Sequence, residues 1–208
     1  MPLCRPRDDR METPLLDAAY DAIERKDPGR AVFLISELEV AGAMPAALGD
    51  LWWHLAGLFD ELELPEDAIV ARLRTWAWDR KIERPFWALS TRDCQPIVQE
   101  ALARLPKRAR EILESVPIIL EAAPTLEMVE FGAEPRLLGL FQGVAYPHKS
   151  VLDASPEAPD SIIIYLLNLE NASETQEEFI HELKKTVWHE TAHAFGLDED
   201  EVHALGLG

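Results

Sequence analysis

Cysteine is nearly absent. Cys4 and Cys94 stand far apart in 208 residues and no C-x-x-C occurs, which excludes a disulfide framework. Long apolar runs are missing too. None approaches the 18 residues a membrane helix needs, and MPLCRPRDDRMETP lacks the apolar segment of a signal peptide. The expectation is a cytoplasmic protein with no membrane partner. Basic charge is scarce, with 20 Lys and Arg against 38 Asp and Glu and a formal net charge of −18. Residues 1–90 hold 17 acidic and 11 basic side chains, a net of −6, and residues 91–208 hold 21 and 9, a net of −12. Such a surface repels phosphate backbones and argues against nucleic acid, while it favours a basic peptide or protein partner. What the chain does have, 48% apolar residues with six Trp, marks a folded globular protein with length for one large or two small domains.

The spacing predicts helices from Pro14 to about Arg84, after a frayed start over residues 1–12. Leu15, Leu16, Ala19, Tyr20 and Ile23 fit a first helix that Asp27-Pro28-Gly29 interrupts, with Pro28 suited to a helix first turn. A second helix carries Ala31 to Val40 and is closed by Gly42 and Pro45. A third runs from Leu48 to Leu62, burying Leu51, Trp52, His54, Leu55 and Leu58. Leu64-Pro65-Glu66-Asp67-Ala68 then restarts the chain 37 residues after Asp27-Pro28-Gly29-Arg30-Ala31, and Ile69, Leu73, Trp76 and Ala77 form a fourth helix. Two helices repeating at that period give a TPR-like reading, with a plain four-helix bundle as the simpler one. Either offers a groove to a protein partner, which Trp52, Trp53, Trp76 and Trp78 would line if they do not fill the core.

The expected division is an all-α domain over 1–84, a linker over 85–95 and a second domain over 96–208. In the second, helices are expected at Ile97–Arg104 and Arg108–Ser115. Strands are expected at Val116–Glu121, where the chain switches to β-branched residues, at Leu137–Val144, interrupted by Gly139 and ended by Gly143, and at Ser161–Leu166. The order of helices, strands and a final long helix is α+β. The loop 145–160 carries Tyr146 and His148, candidates to approach a site and stabilise an oxyanion.

The final helix holds Trp188-His189-Glu190-Thr191-Ala192-His193-Ala194-Phe195-Gly196, an H-E-x-x-H pattern. At ~100° per residue, His189 and His193 lie ~40° apart on one face and one turn apart along the axis. Two neutral imidazoles so placed reach one Zn²⁺, and Glu190 beside them can hold a water and take its proton. Ser173 and Thr175 offer N-caps, with Gln176 and Glu178 three residues on, and Ile180, Leu183, Val187 and Ala194 form the buried stripe. Gly196 supplies the left-handed turn that ends the helix. Glu199, ten residues after His189, offers a third ligand past that turn, with Asp198 and Glu201 as rivals. His181 lies ~12 Å upstream along the helix and is set aside; His203 would have to fold back.

His189-Glu190-Thr191-Ala192-His193-Ala194-Phe195-Gly196-Leu197-Asp198-Glu199 resembles the H-E-x-x-H-x-x-G-x-x-[D/E] motif of the small bacterial zincin-like metallopeptidases, or minimal zincins. Leu137-Leu138-Gly139-Leu140-Phe141-Gln142-Gly143-Val144 is similar to that family's L-L-G-L-[YF]-Q-G-V segment, and Asp160 to Tyr165 to its following strand. The resemblance spans about residues 91–208. It implies a zincin-like domain holding Zn²⁺ on His189, His193 and Glu199, with Glu190 as catalytic base and a peptide or protein as substrate. The metzincin motif shares the spacing but ends in His and is followed by a Met; here Glu stands at 199 and no Met follows. The rival reading is a non-catalytic metal-binding adaptor whose helical half binds a partner. A closed four-ligand site would mark it.

Overall fold

The structure, a computed structural model, describes residues 9–143, 160–198, 200 and 201. The described chain forms two compact units. One comprises the residues up to Glu83 together with Thr125–Pro135, the other Arg84–Pro124 together with the residues from Arg136 onward.

In the first unit α1 (Asp9–Glu24) is followed by α2 (Pro28–Ala41), α3 (Pro45–Glu61) and α4 (Pro65–Asp79). The last three each begin on proline, whose missing N–H falls where a helix has no intrahelical acceptor anyway. Helix α1 starts ahead of Pro14, inside the stretch expected to fray. Pro45 does not close α2 as expected. Gly42, at φ +78°, does so, and Pro45 opens α3. Two of the turns repeat bond for bond. Lys26 and Glu63 both take φ +57°. Asp27 N–H donates to Ala22 O and Leu64 N–H to Phe59 O, each at 2.9 Å, while Lys26 and Glu63 donate to Ile23 O and Asp60 O at 2.9 and 3.0 Å. The repeated punctuation is thus a repeated backbone geometry, although a left-handed non-glycine residue costs roughly 1–2 kcal/mol.

Ala19, Ile35, Leu38, Leu51, Leu55 and Ala71 are fully buried in this unit's core. From α4 it is the small side that goes inward: Ala68, Ala71, Thr75 and Asp79, spaced i+3 and i+4, are buried. Ile69, Leu73 and Trp76, the residues the apolar pattern selected, are half-buried. Small side chains let α4 lie close against α3, which bulky ones would prevent. Trp52 and Trp78 both donate their indole N–H to Glu39 Oε1, at 2.9 and 3.0 Å, so one carboxylate ties α2, α3 and α4 together. Trp53 is exposed and donates to Glu134 Oε1 at 3.0 Å. His54, expected to pack inside, is exposed and meets Tyr20 and Trp53 edge to face.

The second unit begins with α5 (Thr91–Ala103), six residues earlier than Ile97, because Ser90 Oγ accepts the Asp93 N–H at 3.2 Å and caps it. Helix α6 (Lys107–Leu113) and strand β1 (Ile118–Glu121) follow. The short helix α7 (Leu126–Glu130) belongs to the first unit. Then come β2 (Gly139–Gln142), β3 (Ser161–Tyr165), α8 (Leu166–Asn171) and α9 (Gln176–Ala194). Neither α7 nor α8 was expected. The sheet order is β1-β3-β2, with β1 parallel and β2 antiparallel to β3. Ile162 and Ile164 on β3 are fully buried, as the central strand requires. They pack with Val98, Phe179, Leu183 and Val187 into the core behind the site. Near the start of this unit Arg84 forks onto Glu170, its Nε donating to Oε2 at 2.8 Å and its Nη2 to Oε1, and also holds Leu89 O at 2.9 Å.

Candidate metal centre

Helix α9 is positioned at both ends and in the middle. Thr175 Oγ1 accepts the Glu178 N–H at 3.2 Å, and Glu178 Oε2 accepts the Glu174 N–H at 2.8 Å. Ser173, the other candidate cap, instead donates to Leu169 O at 2.8 Å and closes α8. Phe179, Leu183, Val187 and Ala194 are buried against the sheet side, with Ile180 half-buried. Trp188 Nε1 donates to Ala101 O at 2.9 Å and pins α9 to α5 one residue before the motif. Gly196 takes φ +83°; its N–H donates to His193 O at 2.8 Å and the Leu197 N–H to Ala192 O at 3.2 Å. That pair of bonds is a Schellman closure, and only a left-handed residue makes it without strain.

The closure has a chemical product. It delivers Leu197 O to His193 Nδ1 at 2.9 Å. A carbonyl there accepts the Nδ1 proton of the neutral ring, so the Nε2 lone pair is left for a ligand. His193 Nε2 lies 2.9 Å from His189 Nε2, with the two rings at 76°. Two ligands at ~2.0–2.1 Å on a tetrahedral zinc stand roughly 3.3 Å apart, so the pair is within a few tenths of an ångström of a zinc edge. The two nitrogens are thus within contact of each other on one helix, and the donor chemistry fits a borderline-soft divalent ion.

Glu190, between them in sequence, is 6% exposed. Its carboxylate lies against the backbone of β2. A Cβ built at Gly139 would come within 2.7 Å of both Glu190 Cγ and Oε1, and 2.8 Å of Thr186 Cγ2. Real Cβ atoms do not approach that closely, so glycine at 139 is what gives Glu190 its place. In the sequence Gly139 read as an interruption of a strand. A glycine within a strand pattern also marks close approach of another group, and that is the signal that pointed here. The segment ahead of it is held by Asn168 Nδ2 donating to Leu137 O at 2.7 Å and by the Tyr165 N–H donating to Leu138 O at 2.9 Å. The Tyr165 phenol is 1% exposed, and its pKa is raised by burial, with the carboxylates of Glu121 and Glu190 adding to the effect.

Among the described residues no third His, Cys, Asp or Glu joins the two imidazoles. Glu199 lies outside the described residues, as do Tyr146, His148 and His203. The two rivals to Glu199 are engaged with each other. Asp198 Oδ1 accepts the Glu201 N–H at 2.9 Å and Glu201 Oε2 accepts the Asp198 N–H at 3.0 Å. This reciprocal capping box opens the helical turn that holds residues 200 and 201. His181 is exposed two turns upstream.

Fold and site together define a small α+β unit with a helix-borne pair of imidazoles suited to a divalent metal and, between them in sequence, a buried carboxylate. Residues 113–208 match the family model described as zincin-like metallopeptidase, a stretch that takes in the whole sheet and α9. No curated protein matches the chain. Among the described residues, no helix is long and apolar enough to cross a membrane.

Proposed function

We propose that this chain is a zinc-dependent metallopeptidase, with His189, His193 and Glu199 holding the metal and Glu190 as general base. The observation that carries the reading is the 2.9 Å approach of the two Nε2 atoms on a helix that also carries the buried Glu190 between them in sequence. The match of residues 113–208 to a zincin-like metallopeptidase family supports the reaction class. When bound, zinc supplies a Lewis acid for the scissile carbonyl and for the attacking water. Glu190 accepts that water's proton and passes it to the departing amine. Its confinement against Gly139 keeps it in one orientation between the two transfers.

The substrate's place is the outer edge of β2. Gly139 pairs with Ile164 across a position where the ladder bonds run through Leu138 and Tyr165. The N–H and C=O of Gly139 and of Phe141 therefore point away from β3. An extended peptide pairing there would meet the residue that also abuts Glu190. In this reading the helical unit, with its duplicated helix–turn–helix and TPR-like period, recruits a partner or the substrate.

Elemental analysis and a peptide-library digest test the proposal. About one zinc per native chain is expected, retained in Glu190→Gln and lost in His193→Ala. Turnover should fall ~10²–10⁴-fold in Glu190→Gln. Undiminished cleavage by Glu190→Gln would refute the mechanism, and zinc without any cleavage by the native chain would leave the metal-binding adaptor.

A further inference from the structure

The two faces of the sheet are not covered alike. Side chains alternate along a strand, and residues paired across strands share a face. Ile118, Ile162 and Phe141 stand in one such row, and all three pack into the core that α5 and α9 complete. The next row, Ile119, Ile163 and Leu140, therefore lies on the other face. Ile119 is 39% exposed, and Ile163 and Leu140 are half-buried. On β3 the neighbours of Ile163 on this face, Ser161 and Tyr165, are buried, so on that strand the face stays open only at this apolar row. Apolar surface left against water favours whatever covers it.

The row ends at Leu140, on the outer edge of β2, which is the edge proposed to hold the substrate. The ladder fixes what an added strand meets there. The Tyr165 N–H donates to Leu138 O, so Leu138 and Tyr165 form a hydrogen-bonded pair, and by alternation Leu140 and Ile163 form the next. Gly139 and Phe141 offer their outward N–H and C=O, and an added strand takes its main-chain bonds from these two. The residue between them, facing Leu140, makes no main-chain bond to β2. In such pairs the Cα atoms stand ~4.5 Å apart, against ~5.5 Å in the bonded kind, and the side chains come closest. That side chain falls on the Leu140 face and becomes the fourth member of the row. The side chain of the residue facing Gly139 falls on the opposite face, where a Cβ on Gly139 would meet Glu190.

We propose that Leu140 determines specificity: the substrate is an extended segment with a bulky apolar side chain at the one position that faces Leu140. The inference rests on the peptidase reading and on the β2 edge as the substrate's place. Chemistry and selection then fall on opposite faces of one bound strand. The residue facing Gly139 lies on the side of Glu190, and its neighbour is chosen by contact with Leu140 and Ile163.

A peptide-library digest scored position by position tests it. The native chain is expected to favour Ile or Val over Asp by about tenfold at one position fixed relative to the cut. Leu140→Glu should replace that preference by one for Lys or Arg at the same position, with zinc content unchanged. Leu140→Thr should reduce it to about threefold. Melting curves establish that each variant is folded, and if Leu140→Glu is not, Leu140→Thr decides. Binding is read separately, by fluorescence anisotropy on the Glu190→Gln chain, with a labelled peptide of alternating Ile and Ser and its counterpart of alternating Asp and Ser. The Ile peptide should bind about tenfold more tightly, and adding Leu140→Glu should abolish the difference. That result supports selection at Leu140 even where the native chain cuts nothing, in which case the peptidase reading alone fails. Cleavage with no apolar preference, or with one that the folded Leu140 variants leave as it was, overturns the inference and leaves the peptidase standing. The absence of both cleavage and peptide binding overturns both.

Discussion

The two units use glycine and left-handed turns for different ends. In the helical unit Gly42 takes φ +78° and has nothing within 4 Å of where a Cβ would stand, and Lys26 and Glu63 adopt the same region without being glycine at all. There the left-handed residue only reverses the chain, and its surroundings are open. In the α+β unit Gly139 is surrounded, with Glu190 and Thr186 at sub-van der Waals distance from a built Cβ. The first kind of glycine is a matter of backbone strain. The second is a matter of space, and what occupies the space is the proposed general base.

That contrast is open to direct test. The largest effect is expected from Gly139→Ala, which should lower kcat by about 10²-fold by displacing Glu190 while zinc content stays near one per chain; full activity in a folded Gly139→Ala protein would show that Glu190 is not confined by β2. The matching change Gly42→Ala should cost about 1 kcal/mol of stability through strain and leave kcat where it was, read by denaturant melts and the same assay. A smaller structural effect is expected from Glu39→Ala. It strands two indole N–H groups, one of them on the buried Trp52, and should destabilise the helical unit by about 1–3 kcal/mol with zinc content unchanged. The mildest expectation concerns Cys94, fully buried, whose pKa burial raises from 9.0 to about 11, with the Glu170 and Asp93 charges adding. A folded-state pKa above the unfolded one means a stabilising share present below pH 9 and lost as pH rises toward 11. Alkylation of Cys94 at pH 8 should therefore be far slower in the folded chain than in urea, and rapid labelling of the native protein would contradict its burial.

How far the sequence could be read follows the range of the interactions. Helix starts at Pro28 and Pro65, the Gly196 turn and the Thr175 cap are decided within a few residues, and all are where the local pattern puts them. Strands β1 and β3 follow from β-branched runs, whereas β2, Gly-Leu-Phe-Gln, holds none; β3 is as buried as its four consecutive apolar residues imply. Helices α7 and α8 were not legible because each is a turn or two long. Leu166-Leu167-Asn168-Leu169 continues the apolar run of β3 with no glycine or proline to mark the change. The inward face of α4 was misjudged because hydrophobicity ranks Ile69 and Leu73 above Ala68, Ala71 and Thr75, whereas packing against α3 selects for size. At the centre, the identities of His189, Glu190 and His193 stood in the motif. The contact between Gly139 and Glu190 spans 51 positions and depends on how the sheet meets α9. That meeting is a property of the fold.

The bond from His193 to Leu197 O carries a consequence of its own. The group that selects the tautomer of the second imidazole is a main-chain carbonyl, delivered by a turn whose requirement falls on Gly196 alone. Position 197 can therefore drift through many side chains without erasing the instruction, whereas a carboxylate in the same role would be lost with one codon. The memory of which nitrogen is left open to a ligand is stored in the path of the backbone, and it is as durable as that single glycine.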